Sequence, residues 1–302
     1  MWTSARAAPG LHVVSRVLAR RFTDVSGRLE RFELATRKVR LVGPNGFGRP
    51  AGDWLRPRDA ASFEATLGRI ESKAPMVFRA IDDGTILGDA AVLEALRDLV
   101  AVHLARSTVV YRVHRRGVGE ARLPLIENLA ERPWVERSFR ERHHGLVPAG
   151  PEGRRLVVRE LVDEQLGVLD GSSFEADRIL DLFDQARRLL SGKPVELFRT
   201  PDGQQLLISD CPAQSTGPAG IGPLGGTPWD KAASIFMPVG PRTLVAFGPE
   251  NSDEVLPIEA VEKLNSWQIT AADRSVAWHP SAGLHAFVDA VLDSGARSEA
   301  SA

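Results

Sequence analysis

The sequence contains very little cysteine: Cys211 is the single one among 302 residues. One thiol excludes an intramolecular disulfide and any zinc site built from several cysteines, and scarce cysteine is typical of a reducing compartment. We therefore expect a cytoplasmic protein with no disulfide framework.

The chain also lacks long hydrophobic runs and a strong net charge. It has no stretch of about 18 consecutive apolar residues, so no membrane span is predicted. Its start has no apolar run of the kind found in signal peptides. The net charge of -1 gives no overall attraction to nucleic acid or to an anionic membrane. Binding to nucleic acid is therefore possible but is not indicated by the net charge. The sequence identifies no protein partner.

Charge is nevertheless uneven along the chain. Residues 1–57 hold eleven Lys and Arg residues against four Asp and Glu residues. Such an excess predicts either a basic surface that meets an anion or an ordinary solvated face, and both interpretations stay open.

The spacing of apolar residues predicts strands towards both ends of the chain and helices between them. Alternating segments at 28–34 and 38–42 favour one hairpin. Val195–Arg199, a Pro-Asp-Gly turn and Gln204–Asp210 favour a second hairpin. Three- and four-residue steps dominate from about 58 to 192. The predicted fold class is α+β, with a mostly antiparallel sheet from N- and C-terminal segments and a large helical block inserted between them.

This order of elements predicts one interrupted domain over residues 1–293. Residues 58–192 form its helical subdomain, and residues 294–302 are expected to be a disordered tail. The segment 213–228 is rich in glycine and proline, and its length is typical of a lid or flap.

Five polar residues stand at the ends or on the faces of predicted elements. Asp210 follows a short apolar strand, a position where sites are often built. Glu71 lies on a predicted helix face, where a carboxylate can bind a divalent ion or act as an acid or base. Arg106 ends a predicted helix, and the remaining candidates are His12 near the start and Asn265 near the end.

Several short motifs, taken in order, resemble a known family. They are His12 opening a Val-Val segment, the helix through Glu71, Ala105-Arg106, Ile208-Ser209-Asp210-Cys211-Pro212, Met237-Pro238-Val239-Gly240-Pro241, and Asn265. Over about residues 11–280 the chain looks like the uncharacterised bacterial family catalogued as domain of unknown function 4238. That family usually has a proline after the hydrophobic pair, where this chain has Ser15. The resemblance implies a bacterial protein and no particular activity.

The first functional hypothesis is a metal-dependent hydrolase or nuclease acting on an anionic substrate. His12, Glu71 and Asp210 would be ligands of a divalent metal or the general base. Arg106 would stabilise an anionic transition state, and Asn265 would orient the substrate. The sequence contains no P-loop, H-E-x-x-H, G-x-S-x-G or Cys/His zinc spacing, so it predicts no particular mechanism.

The alternative is a non-catalytic binding or regulatory protein in which the same residues are structural. Arg106 and a carboxylate would form a buried ion pair, His12 would be a core histidine, and Asp210 would cap a turn by accepting backbone amides. The two hypotheses differ in whether these side chains surround one concavity.

Overall fold

The computed structural model describes residues 13–48, 60–142, 150–169, 172–217 and 229–299. The helices within these ranges are α1 (Arg16–Arg20), α2 (Ala60–Glu71), α3 (Ala74–Asp82), α4 (Ala90–Ala105), α5 (Thr108–Ala130), α6 (Pro133–Arg142), α7 (Gly150–Leu169), α8 (Ser172–Leu190), α9 (Ile258–Ala271) and α10 (His285–Glu299). The strands are β1 (Leu29–Glu33), β2 (Lys38–Val42), β3 (Val195–Arg199), β4 (Ile208–Ser209), β5 (Gln214–Thr216), β6 (Ser234–Gly240), β7 (Thr243–Phe247), β8 (Ser252–Val255) and β9 (Ser275–Trp278). The predicted α+β class, with a helical block between N- and C-terminal strands, is confirmed.

The first sheet joins the two ends of the chain. Its strand order is β2-β1-β9-β4, and every neighbouring pair is antiparallel. The predicted N-terminal hairpin is present as β1 and β2, and Arg37 in its turn has a positive φ of 51°. Because β9 pairs with β1, residues near 276 and residues near 32 lie side by side.

The second sheet has the order β5-β6-β7-β3-β8 and is mixed, since β8 runs parallel to β3. The predicted hairpin of Val195–Arg199 with Gln204–Asp210 is wrong. The turn exists, because the Gln204 amide donates to the Pro201 carbonyl oxygen at 3.1 Å. However, β3 pairs with β7 and β8, while β4 crosses to the first sheet and pairs with β9.

Helix α9 covers one face of each sheet. Val261 and Leu264 pack with Phe236 and Leu244 of the second sheet. Further along the same helix, Ile269 belongs to the cluster that covers the first sheet. The other faces of both sheets join the main core, which α1, α3, α4 and α8 complete.

The helical block occupies the described residues between Ala60 and Leu190. Helix α4 is buried on nearly all sides, which is typical of a central helix. Asp89 caps this helix, since its Oδ1 accepts the amides of Ala91 and Val92 at 2.9 and 3.2 Å. No helix in the described part of the chain is both long and apolar enough to cross a membrane.

Two segment predictions differ from the structure. Helix α10 runs to Glu299 and so takes in most of the segment 294–302 that was expected to be a disordered tail. Its Ala, Ser, Arg and Glu residues are compatible with a helix, although they give no apolar periodicity. In the predicted loop 213–228, residues Gln214–Thr216 form β5, and residues 218–228 lie outside the described ranges.

Candidate functional site

Asp210 binds the backbone that leads into β9. Its carboxylate accepts the amides of Asp273, Arg274 and Ser275 at 2.8, 2.8 and 3.0 Å. Its own amide donates to the Ser275 carbonyl oxygen at 3.1 Å. Burial raises the pKa of Asp210 to about 6, while the three N–H donors act in the opposite direction. The side chain is 4% exposed and fixes a loop.

Asn265 also binds backbone. Its Oδ1 accepts the Leu207 amide at 2.9 Å, and its Nδ2 donates to the Gln205 carbonyl oxygen at 3.0 Å. Three residues later, Gln268 repeats the pattern by accepting the Ser209 amide at 2.9 Å and donating to the Pro212 carbonyl oxygen at 2.9 Å. The two side-chain amides on one face of α9 thus hydrogen-bond to backbone groups of residues 205–212 that β9, the strand partner of β4, leaves free.

Glu71 and Arg106 form an ion pair between the ends of α2 and α4. The Arg106 side chain is 3% exposed and the Glu71 side chain is 25% exposed, so the pair lies at the edge of the core. Removing one partner of such a pair leaves a charge without compensation, which is costly.

A buried histidine lies one turn before Arg106. The Nδ1 atom of His103 lies 2.8 Å from the Leu99 carbonyl oxygen and so carries the proton that it donates. Its Nε2 accepts the Ser15 amide at 3.3 Å and lies 3.2 Å from the Ser15 hydroxyl. Burial first, and then the charge of Arg106, lower the pKa of His103 to about 4. His103 is neutral at pH 7 and anchors the start of α1.

The predicted site residues differ in what they bind. Glu71 and Arg106 are together, but neither Asp210 nor Asn265 hydrogen-bonds to them. His12 lies outside the described residues. Within the described ranges, no three His, Cys, Asp or Glu side chains are grouped so that they could hold a metal ion.

A polar cleft lies elsewhere, on the first sheet. We call it the arginine cleft: its volume is about 300 Å³, and its charged lining residues are Arg31, Arg40, Arg274 and Glu33. Arg31 and Arg40 stand directly opposite each other on β1 and β2. Three guanidinium groups thus meet a single carboxylate among the described lining residues.

The cleft is held by the residues around it. The loop that Asp210 fixes carries Arg274 and Ser275, both of which line the cleft. On the opposite side, Gly48 has a φ of +68°, and a Cβ atom there would lie 2.5 Å from the Val14 Cβ. Only glycine fits this position, so the segment before α1 closes directly over it.

Sequence reasoning missed the cleft because its members are far apart in the chain. The excess of basic residues in positions 1–57 was the available signal, since Arg31 and Arg40 both belong to it. Nothing in the sequence indicated that Arg274 would join them, because this depends on the pairing of β9 with β1.

The family comparison agrees with the order of motifs. A family model described as a protein of unknown function, DUF4238, matches residues 12–282. The chain belongs to this family. No curated protein and no solved structure matches the chain.

Proposed function

We propose that this protein is a non-catalytic binding protein whose ligand is an anion held in the arginine cleft. The observation that carries the proposal is the meeting of three arginine side chains with one carboxylate in a cleft of about 300 Å³. Arg40 is exposed and has no acidic partner among the described residues. Guanidinium groups match carboxylate and phosphate oxygens through paired N–H donors, so an anion supplies what Arg40 lacks.

The roles of the predicted catalytic residues support the non-catalytic alternative. Asp210 uses its carboxylate on three backbone amides, and Asn265 uses both ends of its amide on backbone groups. Glu71 neutralises Arg106. Each side chain has a structural partner, which is how a buried polar group usually appears in a protein core.

The metal-dependent hydrolase or nuclease hypothesis has less support from this geometry. If it were correct, a divalent ion bound by the folded chain would stabilise it by mass action. We expect that millimolar Mn²⁺ or Mg²⁺ leaves the melting temperature of the purified protein unchanged. A clear rise that Asp210→Asn or Glu71→Gln abolishes would favour the hydrolase instead.

Binding of inorganic phosphate tests the anion proposal directly. Isothermal titration of the full chain should show saturable binding, and Arg40→Gln should weaken it by about ten- to a hundredfold, since a charge-assisted hydrogen bond contributes about 1.5–3 kcal/mol. Arg20→Gln is the matched control, because it removes the same charge from an exposed position on α1 that does not line the cleft. Equal losses in the two variants would mean that only the general charge of this region matters, and would overturn the proposal.

A further inference from the structure

We propose that the ligand of the arginine cleft is a small phosphate ester that carries hydroxyl groups. Arg31 and Arg40 bind its phosphate, and Glu33 accepts hydrogen bonds from its hydroxyl groups. This inference rests on the proposed function, because it takes the cleft as the binding site and adds the chemical class of the ligand.

The pairing of Arg31 with Arg40 favours a phosphate between them. Like charges placed directly opposite on neighbouring antiparallel strands are destabilising. Glu33 pairs with Arg31 at 3.3 Å, so Arg40 is the member of the pair without an acidic partner among the described residues. The Arg31 guanidinium is already held in place, since its Nη1 donates to the Gly46 carbonyl oxygen at 2.6 Å. A donor fixed before binding loses less conformational entropy when the ligand arrives.

A site that binds only an anion such as inorganic phosphate has no use for the carboxylate of Glu33. A carboxylate in the cleft repels a phosphate, so its presence there calls for a ligand with donor groups. The nearest atoms of Arg31 and Arg274 lie 3.3 and 3.4 Å from its oxygens. Both contacts are ion pairs, and the one from Arg274 is also a hydrogen bond, so each oxygen of Glu33 has one partner. A carboxylate has about four acceptor sites, so Glu33 retains capacity for the hydroxyl groups of a ligand.

The size and lining of the cleft favour a small molecule over a nucleic-acid strand. A volume of about 300 Å³ is at the lower end of small-molecule sites. Single-stranded nucleic acid is usually bound by aromatic side chains that stack on bases, and no aromatic residue is among the described residues that line the cleft. The net charge of -1 adds no general attraction to a polyanion.

Three titrations of the full chain test this inference: inorganic phosphate, ribose 5-phosphate and a short oligothymidine strand. We expect ribose 5-phosphate to bind at least tenfold more tightly than inorganic phosphate. Glu33→Gln should bring that ratio close to one while phosphate binding is kept or becomes tighter, because the repelling charge is removed. Glu262→Gln, at an exposed position of α9, is the matched control and should leave the ratio unchanged.

The possible outcomes separate the two proposals. In one outcome, phosphate binding depends on Arg40, but phosphate and ribose 5-phosphate bind equally well or Glu33→Gln leaves the ratio of their affinities unchanged. That outcome overturns the ligand class and leaves the proposed function standing. Tighter binding of the oligonucleotide than of ribose 5-phosphate also overturns the ligand class. Failure of both phosphate and ribose 5-phosphate to bind overturns the proposed function as well. If Glu33→Gln does not fold, Glu33→Asp replaces it, and its shorter side chain should lower the ratio several-fold.

Discussion

Asp210 shows at the scale of a single residue how one buried carboxylate can organise a loop. Its two oxygens accept three consecutive backbone amides, at residues 273, 274 and 275. All three donors are satisfied only because both oxygens of the side chain are hydrogen-bond acceptors. An asparagine of the same shape would turn an NH₂ group towards a backbone amide and leave a donor without a partner.

We predict that Asp210→Asn lowers the free energy of unfolding by about 1–3 kcal/mol, the cost of leaving a buried polar group unsatisfied. Urea denaturation at neutral pH measures the change. Asp202→Asn is the control, because the Asp202 side chain is 99% exposed in its ion pair with Arg242 and should cost less than about 0.5 kcal/mol. Equal stabilities of wild type and Asp210→Asn would contradict the structural role.

His103 makes stability depend on pH. Its pKa falls from 6.5 in the unfolded chain to about 4 in the folded protein. The unfolded chain therefore binds more protons between these two values, so the stability contributed above pH 6.5 is lost as pH falls towards 4. This loss amounts to roughly 2 kcal/mol at pH 5.

We predict that His103→Gln removes this part of the pH dependence. The difference in unfolding free energy between neutral pH and pH 5 should be roughly 2 kcal/mol smaller in the variant than in the wild type. Comparing each protein with itself cancels the loss of packing that the substitution causes. Parallel pH profiles would show that the His103 pKa is the same in the folded and unfolded states.

At the scale of elements, side-chain amides of α9 take the place of a strand along the edge of β4 that does not pair with β9. The spacing of Asn265 and Gln268 could be read from the sequence, since residues three apart share a helix face. Their targets could not, because the apolar run Leu206–Ile208 was equally consistent with a hairpin to β3. That hairpin was predicted from a correct local turn, but β3 finds its partners in β7 and β8.

We predict that Gln268→Leu destabilises the protein by more than about 2 kcal/mol. The substitution leaves the Ser209 amide and the Pro212 carbonyl without their partners, and both groups are buried. Chemical denaturation checks the value. Thr270→Ala on the same helix is the control: Thr270 is exposed, and its change should stay within about 0.5 kcal/mol. A similar loss of unfolding free energy in both variants would mean that the side-chain amides of α9 do not take the place of a strand's hydrogen bonds.

At the scale of the whole molecule, local patterns predicted the order of elements and long-range pairing decided the site. The helical block and the β1–β2 hairpin follow from periodicities within a few residues. The division of the strands into two sheets follows from contacts between residues such as Glu33 and Ser275, which no local pattern specifies. The same pairing brings Arg274 to the arginine cleft, which explains why the fold was more predictable than the site.

The helical block is also not uniform. The second half of α5, together with α6 and α7, packs around a small core of its own, formed by Ile126, Ala130, Val135, Val157, Val158 and Val162. Helix α4, in contrast, lies within the much larger main core. A unit with few buried apolar contacts opens at a lower free energy than the core it is attached to.

We predict that native-state hydrogen exchange separates these two parts. Amides of residues 122–142 and 150–163 should exchange faster than those of α4. Val158→Ala should speed exchange in this unit roughly tenfold or more, since the loss of buried methyl groups costs about 1–3 kcal/mol. Exchange in α4 should not change. Leu156→Ala is the matched control on α7, because Leu156 is 55% exposed and fills no core. If Val158→Ala accelerates exchange in α4 by the same factor, the helical unit and the main core unfold as one cooperative body, and the small core does not define a separate unit of stability.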